Sequence, residues 1–205
     1  MAESLRVDHA VVSGTFSLDG ETFDVDNNIW VIGNDEECLV IDAPHDVDAI
    51  MKVVAGRTVK AIVLTHAHDD HSRMAPALRE RVGAPVLLHP DDKPVWELTH
   101  PDYLWDFDLS DEQSLKIAGA SVKVLHTPGH SPGAVCLYVH DLGCVFTGDT
   151  LFNVGPGATG RSFIDADVIV DSIRAKLFAL PDETVVHTCH GDDTTIAAEK
   201  ATIGV

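Results

Sequence analysis

The segment from His66 to His71, reading HAHDDH, constrains this chain more than any other feature: it places His66, His68, Asp70 and His71 within six residues, directly after the apolar run Ala61-Ile62-Val63-Leu64-Thr65. An apolar run of that length bounded by polar residues reads as a buried strand. In extended backbone the side chains alternate, so His66 and His68 point to the same side and reach one ion. Asp70 and His71 fall where the chain turns into a helix, which directs them to a second position beside the first. Other ligand types recur past later strand-like runs: His130 in HTPGHSPG, Asp149 in FTGDTLF and His190 in VVHTCHGDD. Proline and glycine around His130 hold its loop in a special backbone shape, as a fixed ligand requires. A single histidine is usually a surface or core residue, but the five histidines and two aspartates together imply a two-metal site.

The remaining pattern mixes strands and helices. Short strands are expected over HAVVSGTFSL, NNIWVIG and ECLVIDA, separated by turns at Leu18-Asp19-Gly20 and Gly33-Asn34-Asp35. A helix over 47–54 leads into a strand over 59–65, and a second helix after His71 carries Ala75, Leu78 and Val82 on one face until Gly83 and Pro85 stop it. APVLLH reads as a strand and DDKPVWEL as a short helix. The stretch 99–107 reads as a surface loop, and its Tyr103 and Trp105, together with Trp96, are expected to line a pocket. Four more strands (QSLKIAG, ASVKVLHT, AVCLYVH, GCVFTGD), a helix over 166–180 and the strand TVVHTCH complete the chain. The alternation implies sheets covered by helices in one domain over residues 1–205.

With 33 acidic and 14 basic residues the formal charge is −19. A field of that sign, with no basic cluster, disfavours nucleic acid and anionic membrane surfaces as partners. Hydrophobic residues make up 45% of the chain, which excludes a disordered acidic polymer. Cys38, Cys136, Cys144 and Cys189 lie far apart with no CxxC pair, as buried reduced thiols do. The N-terminal residues MAESLRVDHAVVSG carry no basic segment followed by an apolar one, so a cytoplasmic protein is expected. The seven other histidines, His9, His45, His89, His100, His126, His140 and His187, read as structural or surface residues. GHSPG spells GxSxG around Ser131, but a nucleophile elbow needs a strand before it and a helix after, whereas here the strand AVCLYVH follows.

These residues, in this order, resemble the metallo-β-lactamase fold superfamily, from NNIWVIG to HGDDTTIAAE. The resemblance implies an αββα sandwich, mixed sheets flanked by helices, with the site at one edge. It implies one metal on His66, His68 and His130, a second on Asp70, His71 and His190, and Asp149 bridging them, with two zinc ions, or iron, as the cofactors. Asp42 in LVIDAPHD matches an aspartate that orients a ligating histidine. GDTLF is similar to thioester hydrolases of the glyoxalase II type rather than to true β-lactamases. Fifteen residues follow His190, which leaves no room for the glutathione-binding helical domain of glyoxalase II and points to another thiol. VDHAVVSGTFSLDGETFDVDNN, HPDDKPVWELTHP and GPGATGRSF are similar to short actinobacterial hydrolases of mycothiol-dependent formaldehyde oxidation, which implies S-formylmycothiol.

The expected chemistry is attack of a metal-bridging hydroxide on a thioester carbonyl, with Asp70 as catalytic residue orienting the nucleophile and moving its proton. Arg161 is expected to contact an anionic substrate. Three readings compete. A persulfide dioxygenase would use one iron on His66, His130 and Asp149. A lactonase would use the hydrolytic site on another ester, and a metal store would need no bridging aspartate.

Overall fold

The computed structural model describes residues 4–158 and 160–204. Two six-stranded mixed sheets lie face to face. The first takes its strands in chain order: β1 (Arg6–Leu18), β2 (Glu21–Gly33), β3 (Glu37–Ile41), β4 (Thr58–Val63), β5 (Val86–Leu88) and β6 (Phe107–Asp108). β1 to β3 pair antiparallel and β3 to β6 parallel. The second sheet holds β7 (Ser114–Ile117), β8 (Ala120–His126), β9 (Val135–Val139), β10 (Cys144–Phe146), β13 (Val185–His187) and β14 (Thr194–Thr195) in the order β14-β13-β10-β9-β8-β7. A small hairpin, β11 (Leu151–Phe152) and β12 (Gly155–Pro156), stands apart.

Alternation along each strand decides which face meets what. In β2, Trp30 and Ile32 enter the layer between the sheets, where they meet Val122, Val124, Leu137 and Phe146 of the second sheet. Their neighbours Ile29 and Val31 face the other way, against α1 (Val47–Val54), α3 (Ala75–Val82) and α4 (Lys93–Thr99). The second sheet turns Leu125, Cys136, Val145 and Val186 outward onto α5 (Ala166–Ser172) and α6 (Ile196–Ile203). Residues buried on both faces explain the near-continuous apolar runs of the central strands. The result is the expected αββα arrangement. All four cysteines are buried and unpaired.

Several elements differ from the sequence expectation. β2 begins six residues before NNIWVIG, because Asp19 and Gly20, both at positive φ, close a two-residue hairpin turn and β1 pairs with β2 in register from Arg6–Gly33 to Leu18–Glu21. The helix after His71 is split into α2 (Asp69–Ser72) and α3, since Pro76 has no backbone N–H and fits only a first helical turn. The helix expected over 166–180 widens after Ser172 into a π-turn over Ile173–Leu177, where Phe178 N–H bonds to the Ile173 carbonyl at 2.9 Å and both Ile173 and Leu177 stay buried. The loop over 99–107 leads into β6. No helix among the described residues is long and apolar enough to cross a membrane.

Candidate metal centre

The ends of β4, β8, β10 and β13 lie along one edge of the sandwich, and each releases a short loop bearing ligand types. Past β4, His66 Nε2 lies 3.0 Å from His68 Nδ1, which in turn lies 3.0 Å from His130 Nε2 in the loop after β8. Two nitrogens bound to one tetrahedral ion at ~2.0–2.1 Å stand about 3.3 Å apart, so this spacing is close to that of a ligand set. Burial pushes all three imidazoles below their ordinary range, His68 to about 3. Neutral rings present lone pairs, which suits a cation.

A second cluster adjoins the first. His71 Nε2 is 3.3 Å from Asp70 Oδ2, and His190 Nε2 is 3.4 Å from the same oxygen. Asp149 spans both clusters: its Oδ2 lies 3.4 Å from His130 Nε2, and its Oδ1 lies 3.3 Å from His71 Nε2 and 3.6 Å from His190 Nε2. Burial opposes charge on these groups, yet Asp70 and Asp149 hold His71 well above its ordinary range and His190 up to about 10. A cation bound by these carboxylates would take over the role of those protons. His71 Nε2 and Asp149 Oδ1 are buried, and neither has a well-aligned hydrogen-bond partner. Nitrogen and carboxylate donors of this kind fit zinc or iron at both positions.

The outward-facing atoms of the ligands are fixed as well. His71 Nδ1 donates to Asp42 Oδ2 at 2.9 Å, and His190 Nδ1 donates to the Asp26 carbonyl at 2.7 Å, which leaves each Nε2 free for the centre. Asp42, at the end of β3, also accepts from Thr65 N–H and from the Cys189 thiol, so one carboxylate ties the segment after β4 to the segment after β13. Three further residues act here that the motifs did not single out. Asn27 donates its amide to Asp70 Oδ2 at 3.0 Å, and His45 Nε2 meets Asn27 Oδ1 at 2.7 Å. Asp92 accepts from Ala67 N–H, Ser131 Oγ and Gly133 N–H at 2.7, 3.0 and 2.6 Å, tying the His66–His68 segment to the His130 loop. Ser131 is thus a loop hydrogen-bond donor.

The centre opens into a cavity of about 430 Å³ with mostly apolar walls. Phe16 and Phe23, paired across the β1–β2 hairpin, form one wall, and Phe152 and Ile164 form the other. Arg161 reaches this cavity with its guanidinium 4.3 Å from the Phe23 ring centre, and its Nη1 is buried without a hydrogen-bond partner. Trp96, Tyr103 and Trp105, expected at the pocket, are not among its lining residues. Trp96 is fully buried behind the first sheet, its indole N–H donates to the Tyr103 carbonyl, and Trp105 packs edge-on against it. Trp96 belongs wholly to the core, and the half-buried Tyr103 and Trp105 pack against it, which is the commoner use of such residues.

The profile of the metallo-β-lactamase superfamily matches residues 22–190 of this sequence. The chain belongs to that superfamily. Within it, the chain is 33% identical over 190 residues to the probable metallo-hydrolase YqgX of Bacillus subtilis, covering 84% of this chain and 89% of that protein. It is 30% identical over 190 residues to the hydroxyacylglutathione hydrolase GloC of Haemophilus influenzae, with the same coverage of both. A superfamily relative of similar length thus carries a glutathione-thioester name, and the shortness of the tail after His190 does not argue for another thiol. Among solved structures, the BLEG-1 B3 metallo-β-lactamase (32% identity, TM-score 0.78, 93% of this chain and 97% of that one) and TTHA1623 in a di-iron-bound form (30%, 0.78, 93% and 98%) share the fold. So does ETHE1 from Myxococcus xanthus (28%, 0.76, 94% and 83%). As a superfamily member with homologues named as hydrolases, the protein is a metallo-hydrolase.

Proposed function

We propose that this metallo-hydrolase cleaves thioesters of a low-molecular-weight thiol at a centre of two zinc ions. The observation that carries the proposal is the placement of Asp149, one oxygen toward each cluster, at the floor of an apolar cavity that holds one unpaired arginine. Bound there, two divalent ions would lower the pKa of a shared water toward ~7 and polarise the substrate carbonyl. Asp70, buried against the second cluster, orients the attacking group and takes its proton. Phe16, Phe23, Phe152 and Ile164 exclude bulk water around the acyl group. Arg161 offers its free Nη1 to an anionic part of the substrate.

S-acylglutathione is supported as a substrate by the likeness to GloC, and S-formylmycothiol by the three stretches similar to mycothiol-linked hydrolases. The likeness to ETHE1 favours a second reading, a one-iron persulfide dioxygenase on His66, His130 and Asp149. Against it stands the complete second cluster of Asp70, His71 and His190. The likeness to BLEG-1 makes β-lactam cleavage an arm of the same test. Metal analysis of protein purified without added metal, with thioester, persulfide and β-lactam assays alongside, separates them. Two metals per chain and thioester turnover are expected. One iron with oxygen uptake on persulfide and no thioester turnover would overturn the proposal.

A further inference from the structure

His45 is a residue in the wrong place for its type. Its φ is +39°, a backbone region that side chains with a Cβ adopt at some cost, and its ring is tucked against β1 where a Cβ on Gly14 would lie 2.2 Å from Nδ1. A strained backbone and a glycine-sized gap in the facing strand both serve to seat one imidazole. That imidazole makes one hydrogen bond, from Nε2 to Asn27 Oδ1 at 2.7 Å, and its Nδ1 is buried with no partner. The neutral ring therefore carries its proton on Nε2. The other tautomer would bury an unpaired N–H and set two acceptors face to face. With its oxygen claimed by His45, the Asn27 carboxamide turns its NH₂ inward, where it reaches Asp70 Oδ2 at 3.0 Å and the Asp70 carbonyl at 3.3 Å. Asn27 is itself almost wholly buried, so a flipped amide would find no solvent and would oppose oxygen to carboxylate.

We propose that His45 and Asn27 are a positioning pair for Asp70: His45 sets which way the Asn27 amide faces, and Asn27 holds the Asp70 carboxylate in place for the second cluster. Neither residue touches the atoms that would bind metal at the three-histidine cluster, whose fixed contacts run through Thr65 and Asp92. The pair thus governs one half of the centre and leaves the other alone. The proposal rests on the metal-hydrolase reading only where turnover is measured, and its metal-binding consequences stand without it.

Two variants of His45 and one of Asn27 test the pair. His45→Phe keeps a ring of similar size in the Gly14 gap and removes only the N–H, while His45→Gln retains an N–H donor for Asn27. Titration of the metal-free protein with cobalt(II), followed by its visible spectrum and by competition with a chelator, reads the two positions separately. In His45→Phe one step, that of the Asp70 cluster, should lose about 10- to 100-fold in affinity, with the other within about threefold of wild type on the same scale. His45→Gln should recover part of the loss, and kcat should fall in His45→Phe with KM little changed. Asn27→Ala leaves His45 in place and should reproduce the selective loss. Equal weakening of both steps in His45→Phe and Asn27→Ala would show a merely structural role, and unchanged cobalt binding in them would show none, so either outcome overturns the proposal. Thioester turnover absent in wild type would overturn the function proposed above while leaving the cobalt result to decide this one.

Discussion

Replacing Asp92 with alanine should destabilise the protein by about 2–6 kcal/mol and loosen the three-histidine cluster, although Asp92 is no ligand. The side chain is fully buried, and its removal strands the N–H groups of Ala67 and Gly133 and the hydroxyl of Ser131. Hydrogen bonds to a charged group contribute about 1.5–3 kcal/mol each, so the three together are worth roughly 5–9 kcal/mol. Against this, burial pushes the Asp92 carboxyl from 3.8 up to about 6, despite its three donors. A rise of roughly 2 pH units means that the ionised form carries about 3 kcal/mol of penalty, which alanine relieves. The sign of the pH dependence follows. A folded-state value above the unfolded one gives stability that is complete below 3.8 and is lost as pH rises through about 6. The gap between wild type and Asp92→Ala should therefore widen as pH is lowered from neutral, opposite to an aspartate held by a salt bridge. Urea unfolding of metal-free protein at several pH values measures it, and chelator competition should show metal affinity at the three-histidine position falling about 10- to 100-fold. A loss under about 1 kcal/mol with unchanged metal affinity would refute the bracing role.

Three further outcomes follow from the same geometry. Asp70→Ala should fold and yet lose about 10²–10⁴-fold in hydrolysis under metal saturation, and retained turnover would remove Asp70 from the chemistry. Gly157→Ala would place a Cβ 1.9 Å from the Asp149 carbonyl oxygen; displacement of Asp149 should lower metal content by elemental analysis, and full occupancy in this variant would contradict its bridging position. His190, held up to about 10 by Asp149 and Asp70 against the opposing effect of burial, contributes stability to the metal-free protein that is present below about 6.5 and is lost as pH rises through about 10. The thermal midpoint of metal-free protein should fall across that window and that of metal-loaded protein should not, because bound metal replaces the proton.

The ligand types were legible because their spacing coincides with strand geometry: an HxH pair after an apolar run has only one way to converge. Strand order in the second sheet was not, since β10 pairs parallel with β13, far along the chain, and neither was the junction between the sheets, where the Asn28 amide bonds the Thr188 carbonyl. The aromatic residues of α4 and the stretch after it differ from expectation for a similar reason. Trp96 has the composition of a pocket lining, and only packing shows that its area is spent on the core. His45 reads as a structural or surface histidine because no local pattern marks it; its meaning lies in a partner on β2 and a missing side chain on β1. Asp92 lies near the start of the DDKPVWEL stretch expected as a short helix, nothing in which marks it as buried, and its burial arises from two loops closing over it.

The charge of −19 acquires a sharper meaning from this architecture. A carboxylate of Asp70 and one of Asp149 lie within 3.6 Å of imidazoles that burial would otherwise keep neutral, so the metal-free centre offsets its own acids with histidine protons. Divalent cations bound there would exchange for those protons and bring more charge than they displace, which would leave the centre positive inside an acidic shell. Surface charges are screened over ~8 Å at physiological salt, whereas a buried cation acts on its substrate at contact, through a medium of lower dielectric. Arg161, its Nη1 unpaired beside Phe23, extends the same local sign along the cavity wall. An anionic substrate of the proposed kind would thus be repelled weakly at a distance and held strongly at the site, and the ordering of Asp70 by Asn27 and His45 would fix where the negative side of that balance stands.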